Sequence, residues 1–149
     1  MALTQVQTQM LGTGAVLQVV QGLSTTQTST TGGTYVASPI TATITPKFAT
    51  SKILILSTYY VRSSIQQVSI VQTFYRNSTA VESASYGINY WYTTATGFEA
   101  TTSTSWLDSP ATTSATTYTL YFKRADSAGT VYVGNTNNTS TIQLLEIAG

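Results

Sequence analysis

Ile40-Thr41-Ala42-Thr43-Ile44-Thr45 alternates apolar and hydroxyl side chains without a break. Successive side chains of a strand point to opposite faces, so a period of two gives one dry face and one wet face. Threonine suits the wet face: its β-branch fits the pleat and its hydroxyl satisfies water. The same rhythm returns along the chain. Tyr118, Leu120 and Phe122 alternate with Thr119, Tyr121 and Lys123, Val131 and Val133 flank Tyr132, and Ile142 and Leu144 lie opposite Gln143 and Leu145.

Working outward, the pattern predicts strands at 15–21, 34–45, 52–62, 66–76, 84–93, 98–107, 116–125, 130–134 and 140–147, the second of them either continuous or broken in two near Pro39. Turn chemistry separates them, as in Thr31-Gly32-Gly33-Thr34, Asp108-Ser109-Pro110 and Asp126-Ser127-Ala128-Gly129. Short strands at regular spacing, with no sustained helical period after residue 14, predict an all-β sandwich or barrel. The 149 residues make one domain. We place its boundary at residue 14, with residues 1–13 as an N-terminal extension and 14–149 as the β domain.

Composition narrows the chemistry. Charged residues are 7% of the chain, and histidine and cysteine are absent. That excludes zinc fingers, catalytic triads, thiol nucleophiles and haem or iron–sulfur ligation. Six Lys and Arg against five Asp and Glu leave a net charge of +1, too few cations to bind a phosphate backbone. No apolar run approaches the ~18 residues of a membrane span, and Met1–Leu11 has neither the basic nor the long apolar region of a secretory signal. The carboxylates Glu82, Glu99, Asp108, Asp126 and Glu146 form no local pair, so a glycosidase would have to assemble its two acids from distant strands. We expect Asp108 and Asp126 to cap turns and Glu146 to offset a Lys or Arg. No enzyme activity, cofactor or metal is expected.

Two strands lack a wet face. Ile53-Leu54-Ile55-Leu56 is apolar on both sides and continues into Tyr59-Tyr60-Val61. In Gln66–Arg76, Val68, Ile70 and Phe74 share one face while Val71 and Tyr75 take the other. A strand dry on both faces is covered on both. The second cover is a loop, a further layer or another subunit. We favour a subunit interface through Leu54, Leu56, Tyr60, Val71 and Tyr75, with an exposed tyrosine-rich face as the alternative. The aromatic run Tyr86-Gly87-Ile88-Asn89-Tyr90-Trp91-Tyr92 puts Tyr86, Ile88, Tyr90 and Tyr92 on one face and Asn89 and Trp91 on the other. Trp and Tyr stack on sugars and anchor protein partners, so Tyr90, Trp91, Tyr92 and Trp106 are the candidate receptor contacts. The alternative is that they belong to core or interface. In the extension, Leu3, Val6 and Met10 fall at helical spacing and form a candidate attachment stripe.

Four segments carry a resemblance: Gly14–Gln21, Ile44-Thr45-Pro46 running into Ser51-Lys52-Ile53-Leu54-Ile55, Ser114–Tyr121, and Thr141–Ile147. In order and spacing they resemble small β-rich domains of bacteriophage virion proteins, especially those of marine and cyanobacterial phages. Residues 77–110 depart most from that pattern. The resemblance implies a jelly-roll-like antiparallel β-sandwich, commonly a homotrimer, displayed on tail fibres or other virion appendages, and it supplies no catalytic residues. The expectation is therefore a non-enzymatic virion protein assembled in the host cytoplasm. It would be a short tail fibre or receptor-facing tip, or else a capsid decoration protein or head fibre; a free carbohydrate-binding lectin is the further alternative. The expected partners are other copies of the chain, other virion proteins and a host surface glycan or protein, with no nucleic acid and no membrane insertion.

Overall fold

In the computed structural model, residues 12–95, 97–126 and 128–149 are described. The attachment stripe Leu3, Val6 and Met10 lies outside them. Among the described residues there are eleven strands. They are β1 (Val16–Ser24), β2 (Thr28–Thr30), β3 (Val36–Ile44), β4 (Lys52–Ser63), β5 (Val68–Arg76), β6 (Thr79–Ala80), β7 (Asn89–Thr93), β8 (Glu99–Asp108), β9 (Thr116–Arg124), β10 (Val131–Val133) and β11 (Ser140–Ile147).

Every pairing is antiparallel. In the first sheet β1 lies beside β11, β11 beside β4 and β4 beside β8. The short β10 continues the line of β11 along β4 and carries β2 on its other side. In the second sheet the order is β3, β9, β5, with β7 and β6 sharing the far side of β5. Without the short β2, β6 and β10, the eight main strands in chain order run 1-8-3-6 in one sheet and 2-7-4-5 in the other. That is the double Greek key of a jelly roll, and the fold is an all-β antiparallel sandwich. The first and last main strands are neighbours: Val19 lies opposite Leu145.

The core is the filling between the sheets. Ile40 and Ile44 from β3, Ile53, Ile55 and Tyr59 from β4, Ile70 and Phe74 from β5, Leu120 and Phe122 from β9, and Ile142 and Leu144 from β11 are all buried. Each such side chain contributes roughly 1.5–3 kcal/mol of transfer free energy. The alternation in Ile40–Thr45 is therefore what it predicts, core on one side and solvent on the other. Pro39 does not break its strand. The register shifts between Ala37 and Thr41, and the irregularity accommodates the missing N–H.

Two polar clasps fix the ends. Asp108, at the end of β8, accepts hydrogen bonds from Arg76 Nη1 at 2.9 Å and from the Tyr118 hydroxyl at 2.6 Å, tying the two sheets together. Glu146, fully buried on β11, accepts from Gln18 Nε2 at 2.6 Å and from the backbone N–H of Lys47 at 2.7 Å. It holds the β3–β4 loop in place, in contrast to the expected role of offsetting a cation. Burial favours the neutral acid, but these donors outweigh it and hold the carboxyl below its usual range.

The aromatic run begins its strand later than its alternation predicts, at Asn89 in place of 84. Gly87 explains the difference. It sits at φ +63°, and a Cβ there would collide with the Gln72 carbonyl oxygen. The chain turns at Tyr86-Gly87 before it pairs with β5.

Candidate functional site

The sandwich has two outer faces, and each carries part of the candidate chemistry. On the first sheet, cross-strand register assembles one continuous row: Val19 opposite Leu145, Leu145 opposite Leu54, Leu54 opposite Leu107. The row crosses all four main strands. It is flanked by Val16 opposite Ile147 on one side and by Leu56, between Gln143 and Ser105, on the other. Val19 is 59% exposed and Leu107 51%. Farther along, Thr58 and Ser103 hydroxyls hydrogen-bond each other at 2.8 Å, beside an open crevice between β4 and β8. At the far end the face turns polar. Arg62 pairs with Glu99 at 3.4 Å and lies 5.0 Å over the Tyr132 ring, while Tyr60 is buried and its hydroxyl pKa is pushed up to about 12 by that burial and by Glu99.

The outer face of the second sheet is covered by tyrosines. Tyr75 and Tyr121 stack at 3.9 Å between ring centroids, and Tyr35 meets Tyr75 edge-on at 6.0 Å. Lys123 Nζ sits 4.5 Å above the Tyr35 ring, and the Tyr35 hydroxyl reaches Gly87 on the far side of β5. Burial raises the pKa of that hydroxyl, with Tyr75 and Glu82 adding to the effect. On the other flank Tyr90 donates to or accepts from the Ser69 hydroxyl at 2.8 Å, and Tyr86 packs edge-on against it at 4.9 Å. Beneath this cover Val71, between Tyr90 and Lys123 in the register, is completely buried. The second dry face of β5 is thus covered from within the chain.

The sequence-based candidates divide accordingly. Of the receptor candidates, Tyr90 and Tyr92 point outward and are exposed. Trp91 and Trp106 point inward and pack against the core, with Trp91 5.4 Å from Phe98 between centroids. The structure does not bring the four onto one surface. Of the interface candidates, Leu54, Leu56 and Tyr60 share the outer face of the first sheet, whereas Val71 and Tyr75 lie on the opposite side of the molecule. Val19, Leu107 and Leu145 complete the apolar row but escaped the sequence reading. Each occupies a wet-face position where this chain usually has Thr or Gln, a local signal that only register unites. Tyr35 and Tyr121 were likewise missed as covers of β5.

The five carboxylates are all engaged locally. Asp108 and Glu146 form the clasps above, Asp126 accepts the Ser69 N–H, Glu99 pairs with Arg62, and Glu82 accepts the Ala84 N–H. Among the described residues no three metal-ligating side chains converge.

The arrangement defines a class, a jelly-roll sandwich with one aliphatic and one tyrosine-covered outer face. No protein-family model and no curated protein matches the chain. Solved structures do. It is similar to a mutant VP2 protein of infectious bursal disease virus in derived T=1 particles, with a TM-score of 0.53 and 13% identity over 99% of this chain and 40% of that one. It is equally similar to the structure of the Gx strain of that virus (0.53, 14%, covering 100% and 42%) and to its T13 viral particle (0.53, 14%, covering 100% and 40%). The chain therefore spans about two fifths of the length of those proteins. At this identity the likeness is one of fold.

Proposed function

We propose that the chain is a non-enzymatic structural protein of a virus particle, and more narrowly of a bacteriophage. It forms a homotrimeric jelly-roll domain of a short tail fibre or its receptor-facing tip. The observation that carries the reading is the superposition of the whole sandwich on a virus particle protein. The local engagement of every carboxylate supports a structural role. Tyr90 and Tyr92, outward on the tyrosine face, are the receptor-facing residues, with a host glycan or protein as the partner. Leu3, Val6 and Met10 attach the domain to another virion protein. The chain is assembled into particles in the host cytoplasm.

The shell context of the similar structures favours a second reading, a capsid decoration protein or head fibre. Quantitative mass spectrometry of purified particles separates the two. A few tens of copies per particle are expected for a fibre and hundreds for a capsid lattice. Absence from particles overturns both, and binding on a glycan array would then move the protein to the lectins.

A further inference from the structure

We infer that the outer face of the first sheet, centred on the row Val19–Leu145–Leu54–Leu107, is the surface through which copies of this chain associate. This deepens the trimer proposed above and rests on it for stoichiometry alone. The row is a liability if left in water. Contiguous apolar patches of more than a few hundred Å² mark interaction sites on soluble proteins, and this one runs from one sheet edge to the other. The tyrosine face is different, because its apolar residue Val71 already has its cover.

Three features point to another copy as the occupant. The first is size. Four strands about 4.8 Å apart and eight to twelve residues long span on the order of 600 Å² in plan. Since accessible area exceeds plan area, that approaches the ~800 Å² per partner of a standard interface. The second is polarity. Around the row the charges sit at the ends, Lys52 at one and the Arg62–Glu99 pair at the other. Thr58 and Ser103 between them already bond each other. Nothing at the centre selects a charged partner, and those two hydroxyls enter an interface already paired. The third is fit. Packed sheets stand ~10 Å apart, so each contributes a side-chain layer about 5 Å deep. Three faces about 19 Å wide, set edge to edge around an axis, enclose a prism of inner radius about 5.5 Å, which one such layer from each copy fills.

The test uses the full chain. Light scattering at micromolar concentration should give a multiple of 15.9 kDa, and Leu107→Glu should reduce it to 15.9 kDa with an unchanged far-ultraviolet spectrum. A second measurement does not depend on destabilisation. The chain has no cysteine, so Gln143→Cys, on a central strand of this face, takes a single nitroxide. Distances between copies within about 20 Å, two sheet spacings, are expected there, and much longer ones for Thr119→Cys on the opposite sheet. A monomeric wild type, or an oligomer whose Gln143 labels lie far apart, overturns the inference. So does a monomer whose label is released by deleting residues 1–11, which would assign the face to the N-terminal segment. Incorporation into particles is scored separately. A self-associating protein absent from virions sinks the virion reading and leaves this surface standing, and a virion protein that associates through another face does the reverse.

Discussion

The two outer faces of this sandwich solve the same problem in opposite ways. Each lies over a strand that is apolar on both sides, β4 in one sheet and β5 in the other. Over β5 the chain spreads its own tyrosines, and Val71 is dry in a single copy. Over β4 the apolar row stays open, with Leu107 half in water. Apolar sequence on both sides of a strand therefore does not say whether the chain covers both faces itself. Tyrosine makes self-cover workable because one edge is apolar and the hydroxyl end tolerates solvent.

The contrast is broken most severely by a charge placed under each cover. Val71→Asp buries a carboxylate beneath the tyrosines, opposite a Lys123 whose ammonium is already held over the Tyr35 ring, and should cost about 3–5 kcal/mol. Leu107→Asp, equally apolar in the native chain, should change the stability of a single copy by no more than about 0.5–1 kcal/mol. Urea denaturation of both variants reads the difference. If Val71→Asp folds with near-native stability, the tyrosine layer is a loose surface and the contrast fails.

Tyr121→Ala acts on the cover itself. It removes the stacking partner of Tyr75 and opens the layer. A stacked pair is worth about 0.5–1.5 kcal/mol beyond its buried area, and with that area lost the expected destabilisation is about 2–4 kcal/mol. Thermal denaturation should show a clear drop, while the proposed self-association should be unaffected, since it runs through the opposite face.

How far the sequence reveals this depends on distance along the chain. The alternation in Ile40–Thr45 and in Tyr118–Lys123 is local, and the strands and core follow from it directly. The β7 boundary is less legible, because Gly87 lets the chain turn close against the Gln72 carbonyl, which accepts the Ile88 N–H at 2.9 Å, a neighbour fifteen residues from Gly87. The faces are the least legible. Leu54 meets Leu107 and Leu145 only through register. Val71 lies opposite Lys123, which in turn sits over Tyr35, residues set by a crossover between β3 and β9 that no short-range pattern encodes. The sequence marks β5 as needing a second cover and is silent on its source.

A smaller effect separates the polar clasp at the aliphatic end from both faces. Glu146 titrates below its normal range in the folded chain. Its contribution is therefore complete above the unfolded value of about 4.3 and is lost as pH falls through the lower folded value. Glu146→Gln keeps the shape but weakens charge-assisted bonds worth about 1.5–3 kcal/mol. The variant should be less stable at pH 7, by about 1–2 kcal/mol, and the gap should close on acidification below about pH 4. A constant gap between pH 7 and pH 3 would assign the loss to packing.

The smallest expected change in stability has the most to say about function. Tyr92 pairs with Ser69 across β7 and β5, yet half of it stands in water at the margin of the tyrosine layer. It differs from Tyr90, whose hydroxyl is engaged by Ser69 and which lies opposite the buried Val71 in the register. Tyr92→Ser removes an exposed ring from a strand position where serine is tolerated, so stability should move by no more than about 0.5 kcal/mol. An exposed aromatic with no structural duty is what a stacking contact requires, since it offers large area at small rotamer cost. Adsorption of purified protein to host cells should therefore fall at least tenfold in Tyr92→Ser with the melting temperature unchanged. Tyr90→Phe, which keeps the ring and gives up one hydrogen bond, should adsorb normally and lose about 0.5–1.5 kcal/mol. If Tyr92→Ser adsorbs as well as the parent, the tyrosine face is cover alone, and the proposed receptor role of Tyr90 and Tyr92 falls.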